Sequence, residues 1–341
     1  MRYFSGSLKS PTYRVIVGRF SQQSNMIKRI EDKLIWEGIL KPKYQKGKKS
    51  IVMYHGVDKI ENRSFNARFF SARNFEKHLK YYKKYFNVVS LADYFDNRNL
   101  DESKVNIAIT FDDGYANNLK YAVPLLEKYA IPATFFITGL NTKEDILWAD
   151  LVDICSCYIS TKEVCFNNHQ FSQDDQGKFP ALKDYIKKNR FMGTDHFEEL
   201  KNELLSLSKV NLSDAELVDY WKLLSPEEIK TMSNSSFVNI GSHGFYHNNL
   251  GNIELSYARD EILRSKEYLE SLTQYEICSI GYPDGNYSKE LREEALNLGF
   301  KNQCAVDYQF EEDKTLTYIE NRIGLYPIST THYINYQIQK F

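Results

Sequence analysis

The sequence predicts a parallel α/β fold, closed as a barrel or left as an open sheet, and three observations predict it. Short apolar runs at Ile51–Tyr54, Asn106–Phe111 and Ala133–Ile137 end in polar or glycine turns, the pattern of strands buried on both faces. Segments with apolar residues at helical spacing lie between them, such as Phe75, Leu79, Tyr82 and Phe86, then Leu119, Val123, Leu126 and Tyr129. The residues able to do chemistry fall just after the runs, at the strand ends where parallel α/β folds gather their sites. A chain of 341 residues with 42% hydrophobic and 26% charged residues is long and apolar enough to bury a full core.

Taken in order, Met26, Ile27, Ile30, Leu34, Ile35 and Leu40 give residues 24–40 the period of an amphipathic helix, and Pro42 to Lys49 reads as a polar linker. Residues 1–48 thus form an N-terminal extension. The first fifty residues hold twelve Lys/Arg against three Asp/Glu. That excess suits either a solvated arm or peripheral contact with an anionic lipid or phosphorylated carrier. Residues 49–341 form the main domain. Strand Ile51–Tyr54 ends at His55-Gly56. A helix over Ser71–Phe86, a strand at Val88–Ser90 and a helix from Leu91 follow. Then come strand Asn106–Phe111, helix Asn117–Tyr129 and strand Ala133–Ile137. The alternation stops near Thr142, and residues 145–230 read as a largely helical insertion. Ser225-Pro226-Glu227-Glu228 carries the N-cap, N1 and N3 signals of a helix start. Strand Phe237–Gly241, helix Tyr257–Leu272, strand Glu276–Tyr282 and helix Lys289–Leu298, closed by Gly299, restore the rhythm. Gln303–Val306 and Asn321–Leu325 are the last strand candidates.

A net charge of −1 gives no ground for nucleic-acid binding. No apolar run approaches the 18 residues or so of a spanning helix, and the N-terminal segment has no apolar stretch of the secretory kind. The five cysteines are odd in number and lack a disulfide or metal spacing. These features lead us to expect a cytoplasmic protein, in contact with a membrane at most through its basic arm.

Thr110-Phe111-Asp112-Asp113-Gly114 places two carboxylates at a strand end, and Ser242-His243-Gly244-Phe245-Tyr246-His247 places two imidazoles after another. Neighbouring residues leaving a strand point to opposite sides, so one carboxylate can bind a metal while the other faces substrate. A pair of histidines four apart suits a helical turn presenting both rings to one ion. One carboxylate with two imidazoles makes a three-ligand site with a position left for water, and the second carboxylate is then free to act as a base. Trp148 and Tyr246 are placed close to these motifs, and an aromatic ring such as that of Trp148 could stack on a sugar.

At these residues the chain resembles the polysaccharide deacetylases, the NodB-like carbohydrate esterases. Thr110–Gly114 is similar to their first motif and His243–His247 to their second. Gly281-Tyr282-Pro283-Asp284-Gly285-Asn286-Tyr287 is similar to their third in its Tyr-Pro-x-Gly form, and Tyr54-His55-Gly56-Val57 to an opening segment. The resemblance implies a distorted (β/α) barrel, a divalent metal that is usually zinc, and removal of N-acetyl groups from amino sugars in a surface glycan or its lipid- or nucleotide-linked precursor. Carried over by position, Asp113, His243 and His247 bind the metal and Asp112 is the general base. Tyr282, Pro283 and Asp284 would line the substrate, with a backbone N–H near Tyr282 for the oxyanion. Two departures stand out. The third motif lacks the arginine that pairs with the base, and Arg322 is the replacement the sequence offers. The late motif that donates an acid histidine is absent, His332 standing in poor context, so His55 becomes the expected acid. These departures keep open a glycan-binding protein without catalysis, or a hydrolase of a cyclic or other non-sugar amide.

Overall fold

The computed structural model describes residues 45–143, 146–189 and 195–327, with isolated positions at Ile30, Leu34, Ile39, Ile334, Gln337 and Ile338. The expected helix over residues 24–40 and the basic arm around it lie, apart from those positions, outside the described residues. So does His332. The chain divides into two compact units, Lys46–Pro327 and a second made of Met1–Gln45 with Ile328–Phe341.

In Lys46–Pro327 nine strands, all parallel, share one curled sheet. They are β1 Lys49–Tyr54, β2 Phe86–Val88, β3 Val105–Phe111, β4 Ala133–Ile137, β5 Val238–Ser242, β6 Ser279–Gly281, β7 Asn302–Cys304, β8 Ile319–Glu320 and β9 Ile323–Gly324. Their order is β8-β7-β6-β5-β4-β3-β1-β9, with β2 beside β3. β3 and β4 are buried along their whole length, which explains their unbroken apolar sequence. Only Asn321 and Arg322 separate β8 from β9, yet β8 pairs with β7 and β9 with β1. One short stretch of chain therefore joins both ends of the sheet, and the sheet curls into the distorted (β/α) barrel that the sequence implied.

The helices follow the same local logic. Ser71 caps Ala72–Tyr85 by accepting from the Asn74 N–H, and Phe75, Leu79 and Tyr82 bury one face. Pro124 has no N–H to offer the carbonyl of Lys120. The expected helix 117–129 accordingly starts with a widened π turn, Asn118–Ala122, before Val123–Tyr129. Ser225 and Glu228 form a complete capping box at Pro226–Ser233. The insertion is mainly helical, with Trp148–Tyr158, Pro180–Asn189 and Asp195–Ser208, but it also holds an antiparallel hairpin of Glu163–Phe166 with His169–Ser172. Its turn residues Asn167 and Asn168 have φ of 46° and 61°, the two left-handed residues of a tight hairpin turn. The sequence reading missed this hairpin. Among the described residues no helix is long and apolar enough to cross a membrane.

Candidate active site

The strand ends carry the site. The Asp112 N–H donates to the Tyr54 carbonyl at 3.0 Å and the His243 N–H to the Ile137 carbonyl at 3.0 Å. Each residue is thus the first beyond its strand and still held by the neighbouring ladder. After Asp112 the chain turns sharply: Asp113 has φ 75° and Gly114 φ 83°, and a Cβ on Gly114 would meet Ile137 at 2.9 Å. This turn separates the two carboxylates, as their adjacency required.

Asp113 Oδ1 lies 3.4 Å from His243 Nε2 and 3.3 Å from His247 Nε2, and all three groups are buried. His243 Nδ1 donates to the Gly281 carbonyl at 2.6 Å, so in the neutral ring the proton is there and Nε2 carries the lone pair. A lone pair aimed at a carboxylate oxygen is repulsive unless a proton or a cation sits between them. Bonds of about 2.0–2.1 Å from a tetrahedral zinc would put its ligand atoms about 3.3–3.4 Å apart. The spacing and chemistry of these donors fit such an ion. The histidine pair is not on a helical turn as expected. Gly244 at φ 70° and His247 at φ 55° make residues 243–247 a loop. Glu261, buried on helix Leu255–Thr273, clamps this loop by accepting from the N–H groups of Tyr246 and Asn248 at 3.0 and 3.1 Å.

Asp112 stands beside these groups, its Oδ2 3.9 Å from His243 Nε2. Arg322, between β8 and β9, reaches it with both arms of its guanidinium: Nη1 to Oδ1 at 2.6 Å and Nη2 to Oδ2 at 2.9 Å. Burial alone would raise the pKa of Asp112, but the Arg322 charge outweighs it and holds the carboxyl below its ordinary range. Burial likewise opposes ionisation of Asp113, yet the two imidazoles beside it and the charge of Arg68 hold it well below that range.

The remaining expected residues fare differently. His55 sits at the end of β1 with a buried, unbonded Nδ1, and burial followed by the charge of Arg68 pushes its pKa down to about 4. A neutral imidazole is the wrong form for a general acid near neutrality, which weighs against that role. Tyr282 is fully buried, its hydroxyl donates to Gln303 Oε1 at 2.6 Å, and its N–H is used by the Cys304 carbonyl. Neither a substrate contact nor an oxyanion donor is left there. Pro283 is buried as well. Asp284 turns the chain at φ 57° and pairs with Lys187 of the insertion at 3.4 Å. Trp148 is only 5% exposed and belongs to the apolar cluster of the insertion with Leu151, Phe179 and Leu217. It is a core residue rather than a sugar platform. Trp148→Ala is therefore expected to cost about 3–5 kcal/mol in urea unfolding, whereas Trp148→Phe should leave KM unchanged. A KM raised by Trp148→Phe at native stability would restore the contact role.

Arg68 escaped the sequence reading altogether. It lies in an aperiodic loop, and only the fold carries it to the site, where Nη1 donates to Asp113 Oδ2 at 3.0 Å.

A curled parallel barrel that gathers a carboxylate and two imidazoles at its strand ends has a donor set able to hold a divalent cation. Residues 99–303 match the polysaccharide deacetylase family, and the chain belongs to that family. YxkH of Bacillus subtilis, a protein ascribed to the polysaccharide deacetylases, is 30% identical over 115 residues, which cover 33% of this chain and 38% of YxkH. The match thus spans little more than a third of that relative. The fold is similar to that of the Streptococcus pyogenes deacetylase PplD in complex with acetate, with a TM-score of 0.56 and 17% identity over 86% of this chain and 99% of PplD. It is also similar to BC0361, a polysaccharide deacetylase from Bacillus cereus, with a TM-score of 0.53 and 19% identity over 86% of this chain and 69% of BC0361.

Proposed function

We propose that this protein is a metal-dependent N-deacetylase, with an N-acetylated amino sugar in a surface glycan, or its lipid- or nucleotide-linked precursor, as substrate. The observation that carries the proposal is the set of Asp113, His243 and His247, whose ligand atoms lie within 4.8 Å of one another beside a second carboxylate outside the set. Family membership supports the reaction class. These three residues would hold the cation, and zinc suits two nitrogens and one oxygen. When bound, such a cation supplies Lewis acidity, which lowers the pKa of a water and polarises the amide carbonyl.

The chain's own residues do the rest. Asp112, ionised and aimed by Arg322, accepts the proton as water attacks the acetamide carbon. Collapse then breaks the C–N bond, and the nitrogen must leave as an amine. The proton that Asp112 has taken is the one closest at hand, so the same carboxyl can return it to the nitrogen and end ionised. This route needs no histidinium, in keeping with the depressed pKa of His55. The pairing of Arg322 with Asp112 also weakens the case for a catalytically inert glycan-binding protein, because the missing third-motif arginine was one of its two supports. The expected cytoplasmic setting stays within this proposal, since five free cysteines suit a reducing compartment.

The test is acetate release from N-acetylated amino-sugar oligomers by the zinc-loaded protein. His247→Ala should lose the bound zinc and at least 10²-fold of the rate, on the order expected when a catalytic cation is lost. A His247→Ala protein that keeps the full rate rejects the site. Release from small cyclic amides alone would point to the non-sugar hydrolase.

A further inference from the structure

Arg68 places a full positive charge against Asp113, the carboxylate assigned to the cation. Taken alone that contact is unfavourable, because a cation entering beside Asp113 would meet the guanidinium. The structure supplies a counterweight from an unexpected source. Asp150, in the first helix of the insertion, Trp148–Tyr158, has no solvent exposure, and its Oδ1 accepts from Arg68 Nη2 at 2.5 Å. Its carboxylate is fully bonded, Oδ1 also taking the Asn66 amide at 2.7 Å and Oδ2 the Tyr115 hydroxyl at 2.7 Å. Tyr115 closes the circuit by accepting from Arg68 Nη2 at 2.6 Å. Asp113 is thereby divided, with Oδ2 on Arg68 and Oδ1 facing the two imidazoles.

We propose that Asp150 is the counter-charge of the cation site: it neutralises Arg68, so that Arg68 can hold Asp113 in a one-oxygen binding posture without repelling the ion. Asp112, Asp113 and Asp150 against Arg68 and Arg322 leave one net negative charge among these five groups. Without Asp150 the other four sum to zero, and a divalent ion loses the compensation that Asp150 supplied. The insertion then is more than an appendage of the barrel, for it supplies a positioning residue that touches neither ion nor substrate. Groups bonded directly to a metal ligand, as Arg68 is to Asp113, typically control metal affinity by 10–100-fold, and Asp150 acts on the ion through that group. The inference rests on the cation site of the proposed function, but not on the identity of the substrate.

The experiment is zinc affinity, measured by competition with a chromophoric chelator, for the full chain, Asp150→Asn, Arg68→Met and the double variant. Asparagine keeps the shape and an acceptor for Arg68, so the change isolates charge. Asp150→Asn should weaken zinc binding about tenfold or more. In the Arg68→Met background the same change should shift affinity by less than about threefold, because Asp150 acts through Arg68. Equal losses in the two backgrounds, or an unchanged affinity in folded Asp150→Asn, overturn the proposal. Where Asp150→Asn does not fold alone, the Arg68→Met pair decides, and a tenfold gap between its members overturns it. A wild-type chain that takes up no zinc overturns both this inference and the proposed function. One that binds zinc and releases no acetate refutes the function alone.

Discussion

Asp112→Asn should lose turnover by about 10²- to 10⁴-fold, the range in which a positioned general base contributes, while the bound zinc stays near wild-type level. The two outcomes separate because Asp112 stands outside the three-donor set, its nearer oxygen 3.9 Å from His243 Nε2. Asparagine preserves an oxygen for Arg322 Nη1 but sets an amide N–H against Nη2, and it cannot accept the proton of an attacking water. Acetate release and metal content measured on the same preparation check this. A variant with turnover within about tenfold of wild type would reject Asp112 as the base, and a variant stripped of zinc would show that Asp112 is a ligand.

The sequence made the four motif residues legible because an apolar run followed by a turn is a local signal. Asp112 and His243 each occupy the first position past such a run, and the ladder extends to them by one more hydrogen bond. The assignment failed where it relied on closeness in sequence or on a spacing. Trp148 stands between the two motifs in the chain, but its helix turns it into the insertion's core. The four-residue spacing of the histidines suggested a helix, yet Gly244 opens the segment into a loop that Glu261 holds from a separate helix. The hairpin at 163–172 was present as alternating Val164, Phe166 and Phe171 around an Asn-Asn turn. Its polar surroundings hid it. Arg68 and Asp150 had no local signal, because an aperiodic loop and an insertion helix acquire meaning only when the barrel brings them together.

Arg322 lies between these extremes, and its removal tests the closure of the sheet and the site together. Arg322→Met should cost about 3–5 kcal/mol, the usual penalty for stranding one partner of a buried ion pair. The side chains of Arg322 and Asp112 are 0% and 5% exposed, so water offers little relief to the abandoned carboxylate. Arg322 also donates from Nε to the Ala305 carbonyl at 3.2 Å and from Nη1 to Thr110 Oγ1 at 3.3 Å. It thereby ties the end of β7 to β3 across the seam where β8 and β9 join the sheet's two ends. The double variant Asp112→Asn/Arg322→Met should be more stable than Arg322→Met alone, because no buried charge is left unpaired. Urea unfolding of wild type, Asp112→Asn, Arg322→Met and the double variant measures the coupling. A loss below about 1 kcal/mol in Arg322→Met, or a double variant no more stable than it, would mean that the pair adds nothing beyond packing. Recovery of stability without recovery of turnover is the expected pattern. Methionine fills the seam, but the asparagine that replaces Asp112 has no charge with which to accept a proton and none to return to the leaving nitrogen.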